Sequence, residues 1–189
     1  MNNNADSTGG IFLTLEGDDG VGKSTQADLL AKWLEDRGHT VLRVHEPGGT
    51  RLGEKIRALL LDKDDDAMVP LAELLLFEAA RAQVMSEVIE PALAAGSIVV
   101  CDRFTDSTLA YQGYGRELGA ELVRSTNDLA CGGHYPDRTL LLSLDPDVAR
   151  NRVESRASGG ATDRMESAGD EFRTRLRAGF EEIAAAEPE

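Results

Sequence analysis

The sequence predicts an α/β fold, a parallel sheet with helices on both faces, and three observations carry that prediction. Short apolar runs alternate with amphipathic stretches along the chain, as strands alternate with crossover helices. A glycine-rich segment, Gly17-Asp18-Asp19-Gly20-Val21-Gly22-Lys23-Ser24, sits between the first apolar run and the first amphipathic stretch. At 189 residues the chain has the length of one ordinary domain with one core.

Taken in order, residues 1–10 are polar, lack the basic and apolar regions of a leader, and read as a disordered tail. Residues 11–189 read as a single domain. Strands are predicted over residues 11–15, 41–45, 98–101 and 139–144, each a short apolar run. Helices are predicted over residues 23–37, 52–61, 70–95, 105–112, 120–131, 146–156 and 170–186. On the first helix Trp33, with Leu29 and Leu30 at helical spacing, reads as core packing. Residues 155–169, with Gly159-Gly160 and little apolar content, read as a mobile loop, part of a lid over residues 150–169.

Composition narrows the function. The chain has 34 acidic and 20 basic residues, a net charge of -14, which disfavours nucleic acid and anionic membrane surfaces as partners. A local cluster of Arg and Lys can still hold a small phosphorylated molecule. The two cysteines, Cys101 and Cys131, are too few and too irregularly spaced for a disulfide framework or a zinc site, which fits a reduced cytoplasm. No segment approaches the roughly 20 apolar residues of a membrane span.

The glycine-rich segment satisfies G-x-x-x-x-G-K-[ST], the P-loop of nucleoside triphosphate-binding proteins, in its required place after a strand and before a helix. Backbone N–H groups freed by the glycines turn toward an anion, the helix adds its positive end, and Lys23 reaches the β- and γ-phosphates. Ser24 would ligate Mg²⁺. The motif makes residues 17–25, Gly17, Asp18, Asp19, Gly20, Val21, Gly22, Lys23, Ser24 and Thr25, the ATP-binding loop. A P-loop alone admits GTPases, ATPases and kinases. No N-K-x-D for guanine is present. Asp102-Arg103 follows the apolar run of residues 98–101, at the carboxyl end of a strand, where open α/β sheets bind their ligands. The pair fits Mg²⁺ and a transferring phosphate.

With these residues in view, the chain resembles the thymidylate kinase family from Ile11 onward. The motifs are the P-loop with an acidic Asp19, then Glu46-Pro47-Gly48-Gly49-Thr50, Phe77-Glu78-Ala79-Ala80-Arg81, Asp102-Arg103-Phe104 running into Ala110-Tyr111-Gln112-Gly113, and Asp163-Arg164. Each is weak alone, and five in the right order are specific. The resemblance implies that Phe77 stacks on thymine and Arg81 binds its carbonyl edge. It further implies that Tyr111 lies where a 2′-hydroxyl would sit, with Gln112 near the base. Asp19 would hold the sugar 3′-hydroxyl, Arg103 would bridge acceptor and γ-phosphate, and Arg57 and Ser107 would complete the substrate site. It implies ATP and dTMP as substrates, Mg²⁺ on Ser24 and Asp102, and a homodimer.

Three departures stand out. His45 replaces the Arg that commonly precedes Glu-Pro-Gly-Gly, a weaker and pH-dependent cation. Phe104 keeps a ring but lacks the polar tip usual after Asp-Arg. The family continues past the last helix into a strand and a terminal helix, so about twenty further residues are expected beyond Glu189. Gly20 also lacks the Arg that one subclass carries there, which leads to Arg156 and Arg164 as catalytic lid cations, with Arg150 and Arg152 expected on the helix surface. A P-loop kinase of another monophosphate and a non-catalytic nucleotide-binding regulator remain as alternatives.

Overall fold

The computed structural model describes residues 9–62, 67–157, 164–165 and 169–186, without the side chains of residues 156 and 157. Four parallel strands, β1 (Ile11–Glu16), β2 (Val41–His45), β3 (Ile98–Asp102) and β4 (Arg138–Leu141), lie in the order β2-β3-β1-β4. The helices are α1 (Lys23–Glu35), α2 (Arg51–Leu61), α3 (Pro70–Val84), α4 (Glu90–Ala94), α5 (Thr105–Thr108), α6 (Ala120–Cys131), α7 (Pro146–Ala157) and α8 (Asp170–Ala186).

Strand residues alternate between two cores, as a pleat requires. Ile98 and Val100 pack with Leu15 against Ala27 and Leu34 of α1. Val99 and Cys101 face the other way, onto Val84, Met85 and Ile89 with Phe12 and Phe104. The register aligns Leu15 with Asp102 and Asp102 with His45. The carboxyl ends of β1, β3 and β2 therefore finish together, and the loops after them share one edge of the sheet.

Four expectations are corrected. Trp33 is 51% and Leu29 57% exposed; the inward face of α1 is Lys23, Ala27, Ala31 and Leu34. Small residues there let the helix lie close on the sheet, and Trp33 instead stacks outside, with the Arg37 guanidinium 3.7 Å from its ring centre. The helix expected over residues 70–95 is interrupted by a π-helical turn, Met85–Ile89. The helix expected over residues 105–112 keeps α geometry only in α5 and continues as a π-helical turn, Leu109–Gly115. Finally, the strand expected over residues 139–144 spans only Arg138–Leu141, the edge strand β4, on which Leu140 and Leu141 are exposed. At the other end Gly10 donates to the Leu93 carbonyl at 2.8 Å, while residues 1–8 of the expected tail lie outside the described residues.

Candidate active site

One cleft of about 1120 Å³ runs along the carboxyl edge of the sheet. At one end is the loop between β1 and α1. Gly17, Gly20 and Gly22 all have positive φ, which costs a glycine little and turns successive N–H groups inward. The α1 N-terminus has no side-chain cap and no acidic residue in its first turn, so its N–H groups are left for an anion. Gly20 is also fixed by space: a Cβ there would come within 2.3 Å of the Ala149 carbonyl oxygen of α7. No side chain fits at position 20, and α7 brings its own cation instead. Arg152 Nη1 approaches the Gly20 carbonyl at 3.4 Å and Arg152 lines the cleft. As expected of a helix-surface residue it is exposed, and from there it also faces the cleft.

Lys23 Nζ donates to the Asp18 carbonyl at 2.7 Å. Burial, then Arg103, lower its pKa to about 8. Ser24 Oγ donates to Asp102 Oδ2 at 2.5 Å, which brings the two expected Mg²⁺ oxygens into contact. Among the described residues no group of three or more His, Cys, Asp or Glu could cage a metal. A hydroxyl and one carboxylate fit Mg²⁺, which keeps waters and takes phosphate oxygens for its other positions.

At the middle of the cleft stands Arg103, a non-glycine residue at φ 72, a conformation held by its surroundings. Its Nη1 donates to the Gly17 carbonyl and to Ser107 Oγ, both at 3.0 Å. Its Nη2 donates to Asp19 Oδ1 at 2.5 Å and to the Tyr111 hydroxyl at 3.2 Å. Tyr111 in turn donates to Asp19 Oδ2 at 3.0 Å. Burial pushes the Asp19 carboxyl up, but Arg103 and Lys23 outweigh it and hold Asp19 below the usual range, as an anion. Glu16 steadies the segment after β3 by accepting from Phe104 N and Ser107 Oγ. Phe104 is fully buried, edge-on to Phe12, so its ring serves the core and no polar tip is missed there.

The far end is built on α3, the π-helical turn Leu109–Gly115 and α2. Phe77 and Arg81, one helical turn apart, both line the cleft. Phe77 is half-buried against Ile56, Leu60 and Ala80. Arg81 is 1% exposed and mostly engaged inside the protein. It donates to Glu46 Oε2 (2.8 Å), Glu78 Oε2 (3.1 Å), Asn127 Oδ1 (2.7 Å) and Thr108 Oγ1 (2.8 Å). A guanidinium has five N–H donors, so one is left. Gln112 Nε2 donates to Glu73 Oε1 at 2.8 Å, while its buried Oε1 has no partner. Arg57 holds the Pro47 carbonyl at 2.9 Å and lines the cleft. His45 Nε2 lies 2.9 Å from Glu54 Oε1, which also accepts from Gly49 N.

Arg164 is not at the phosphate loop. Its guanidinium pairs with Glu73 at 2.6 Å and donates to the Leu60 carbonyl at 3.1 Å, beside the base end. The adjacent Met165 is buried and lines the cleft. The Arg156 side chain and Asp163 lie outside the described residues. Sequence reasoning missed Thr108 and Arg152 in this cleft, and Glu73 buried behind it. For Thr108 the signal was available, four residues before Gln112 and on the same wall; for Glu73, in an otherwise apolar stretch of α3, it was the charge itself.

A P-loop on a parallel sheet, with a metal-fitting pair and a bridging Arg, and a cleft that runs on past them to Phe77, Arg81 and Gln112, defines a P-loop kinase of small phosphorylated acceptors. The comparisons carry this further. The thymidylate kinase family model matches residues 15–189. The thymidylate kinase of Synechococcus sp. (strain JA-2-3B'a(2-13)) is 53% identical over 179 residues, covering 95% of this chain and 83% of that protein. That of Bifidobacterium longum (strain NCC 2705) is 50% identical over 182 residues, covering 95% and 86%. The crystal structure of thymidylate kinase from Ehrlichia chaffeensis superposes with a TM-score of 0.76 at 38% identity, covering 95% of this chain and 87% of that one. The chain belongs to the thymidylate kinase family.

Proposed function

We propose that the protein transfers the γ-phosphoryl group of ATP to dTMP, giving dTDP, with Mg²⁺. The observation that carries the base assignment is the pairing of Gln112 Oε1, a buried acceptor without a partner, with the one N–H that Arg81 has to spare, both on the wall that Phe77 shares. Thymine offers a donor at N3 and an acceptor at O4; cytosine offers the reverse at both positions. Phe77 supplies the face on which the ring stacks. Tyr111, buried and tied to Asp19, would lie where a ribose 2′-hydroxyl would sit.

Phosphoryl transfer needs in-line oxygens and cations on the equatorial oxygens, and little covalent help. Lys23 holds the donor phosphates, with Arg152 on the other side of the loop. Arg103 lies between the loop and the acceptor pocket, so it meets both the acceptor phosphate and the group in flight. Asp19 fixes Arg103 and accepts from the sugar hydroxyl. Ser24 and Asp102 would hold Mg²⁺, which would supply charge neutralisation to the triphosphate. Arg57 and His45 face the acceptor phosphate. A homodimer is supported by exposed leucines on three helices that pack in series, Leu52 and Leu59 of α2, Leu71 and Leu75 of α3, and Leu122 and Leu129 of α6. A cytoplasmic location is supported by two free, buried thiols and by the fact that no described helix is long and apolar enough to cross a membrane.

ADP release measured over a panel of monophosphates tests the reading. Facing donor to donor at a buried site costs about 1–3 kcal/mol, so dTMP should exceed dCMP by about fivefold to a hundredfold in kcat/KM, and chelation of Mg²⁺ should stop turnover. Equal turnover of dTMP and dCMP overturns the base assignment.

A further inference from the structure

The phosphate loop carries a second acidic residue that the reaction does not use. Asp18 is not among the residues that line the cleft and its side chain is nearly buried, and a carboxylate inside a loop built for a triphosphate repels that ligand unless it is neutralised. The neutralising charge comes from the other end of the chain. Arg173 Nη1 of α8 lies 3.2 Å from Asp18 Oδ1, and Arg177 Nη1, one turn on, lies 3.9 Å from Asp18 Oδ2. The side chains of Asp18 and Arg173 are only 11% and 16% exposed, so water screens the pair little. The same Oδ1 accepts from Asp19 N at 2.7 Å, and the Asp18 carbonyl is the group that seats Lys23. One residue thus ties together α8, the backbone of Asp19 and the ammonium of Lys23.

Helix α8 can act as a fixed arm because its other face is anchored. Phe172, Leu176, Phe180 and Ile183 are buried with Leu109, Ala110 and Tyr111. Arg175 donates twice to the Gly115 carbonyl, at 3.2 and 3.0 Å. The approach is close enough that a Cβ on Gly115 would lie 2.5 Å from the Phe172 ring. Tyr111 meets the rings of Phe172 and Phe180 edge-on. The arm therefore touches the acceptor side through Tyr111 and the donor side through Asp18.

We infer that Arg173, backed by Arg177, is a positioning residue for the donor nucleotide: from the last helix it neutralises Asp18 and holds the first half of the phosphate loop in its binding conformation. The inference rests on the reading of residues 17–25 as an ATP site, not on the identity of the acceptor. The test is a double-mutant cycle read by titration of Mg²⁺-ATP into the full chain, with dTMP binding, thermal midpoint and wild-type dTMP turnover measured alongside. Arg173→Gln should weaken ATP binding by about fivefold to tenfold, because Asp18 then keeps only the more distant Arg177 as a cationic partner, and Arg173→Lys should recover most of the loss. In the Asp18→Asn background the same Arg173→Gln change should alter ATP affinity by less than about twofold, and dTMP affinity should hold in every variant. A merely structural pair would lower the thermal midpoint and leave the ATP affinity of the folded fraction unchanged. Wild-type ATP affinity in Arg173→Gln, or an equal loss in both backgrounds, overturns the inference. Absence of dTMP turnover by the wild type would count against the proposed function alone.

Discussion

The two ends of the cleft are made by different means. The donor end is one contiguous loop in which backbone N–H groups and the end of α1 do the binding, and Lys23, Ser24 and Arg152 stand over it with few side-chain partners. The acceptor end is assembled from α2, α3, α5 and the π-helical turn after it. There Arg81, Glu46, Glu78, Asn127 and Thr108 form one buried network, and Glu73 gathers Gln112, Arg116 and Arg164 into another. The donor end is poised and sparse, while the acceptor end is preorganised, with Gln112 Oε1 and Glu46 Oε1 its unpartnered buried atoms among the described residues. Charge removed from the first should cost rate, and charge removed from the second should cost stability along with binding.

The largest expected effect sharpens this contrast. Lys23→Ala should lower kcat by about 10³-fold or more, with dTMP affinity and thermal midpoint close to wild type, as checked by steady-state kinetics, dTMP titration and calorimetry. Near-normal turnover of that variant would remove the loop from the chemistry. Next comes Arg81→Ala, which strands two buried carboxylates and should destabilise the fold by about 3–5 kcal/mol in denaturant unfolding. A soluble, fully stable Arg81→Ala that lost only dTMP affinity would break the comparison, because the acceptor end would then behave like the donor end.

A smaller pair of effects separates two arginines that sequence alone groups together. Arg152→Ala should lower kcat or ATP affinity by about tenfold and leave the KM for dTMP alone. Arg164→Ala, which releases Glu73, should raise the KM for dTMP by more than it lowers kcat. The opposite assignment of the two losses would mean that the lid carries Arg164 to the phosphates during turnover. The smallest effect is in pH. With its pKa near 8 in the free protein, Lys23 is charged below that value, so kcat/KM for ATP should fall as pH rises through about 8. Bound phosphate favours the charged form, so kcat at saturating ATP should persist to higher pH. A flat kcat/KM profile from pH 7 to about 9 would show that Lys23 keeps its proton without the nucleotide.

The sequence by itself determined the phosphate loop and the α/β frame. Both are local: the loop is nine consecutive residues whose glycines and lysine act through their own backbone, and strand and helix leave periodic traces within a few residues. The motif order also names Phe77, Arg81, Arg103, Tyr111 and Gln112, and all five line the cleft. Tertiary structure decided what periodicity leaves open. Helix α1 has two apolar stripes, and only packing against the sheet chose Ala27, Ala31 and Leu34 over Leu29 and Trp33, because small residues permit the closer approach. The lid arginines look alike in sequence, and only the seat of α7 on Gly20 sent Arg152 to the phosphate loop while Arg164, beside Met165 buried in the cluster of Leu74 and Phe172, pairs with Glu73. The pairing of Asp18 with Arg173 spans 155 positions. No local pattern encodes such a contact, since it exists only once a sheet and two packed helices have brought the ends of the chain together.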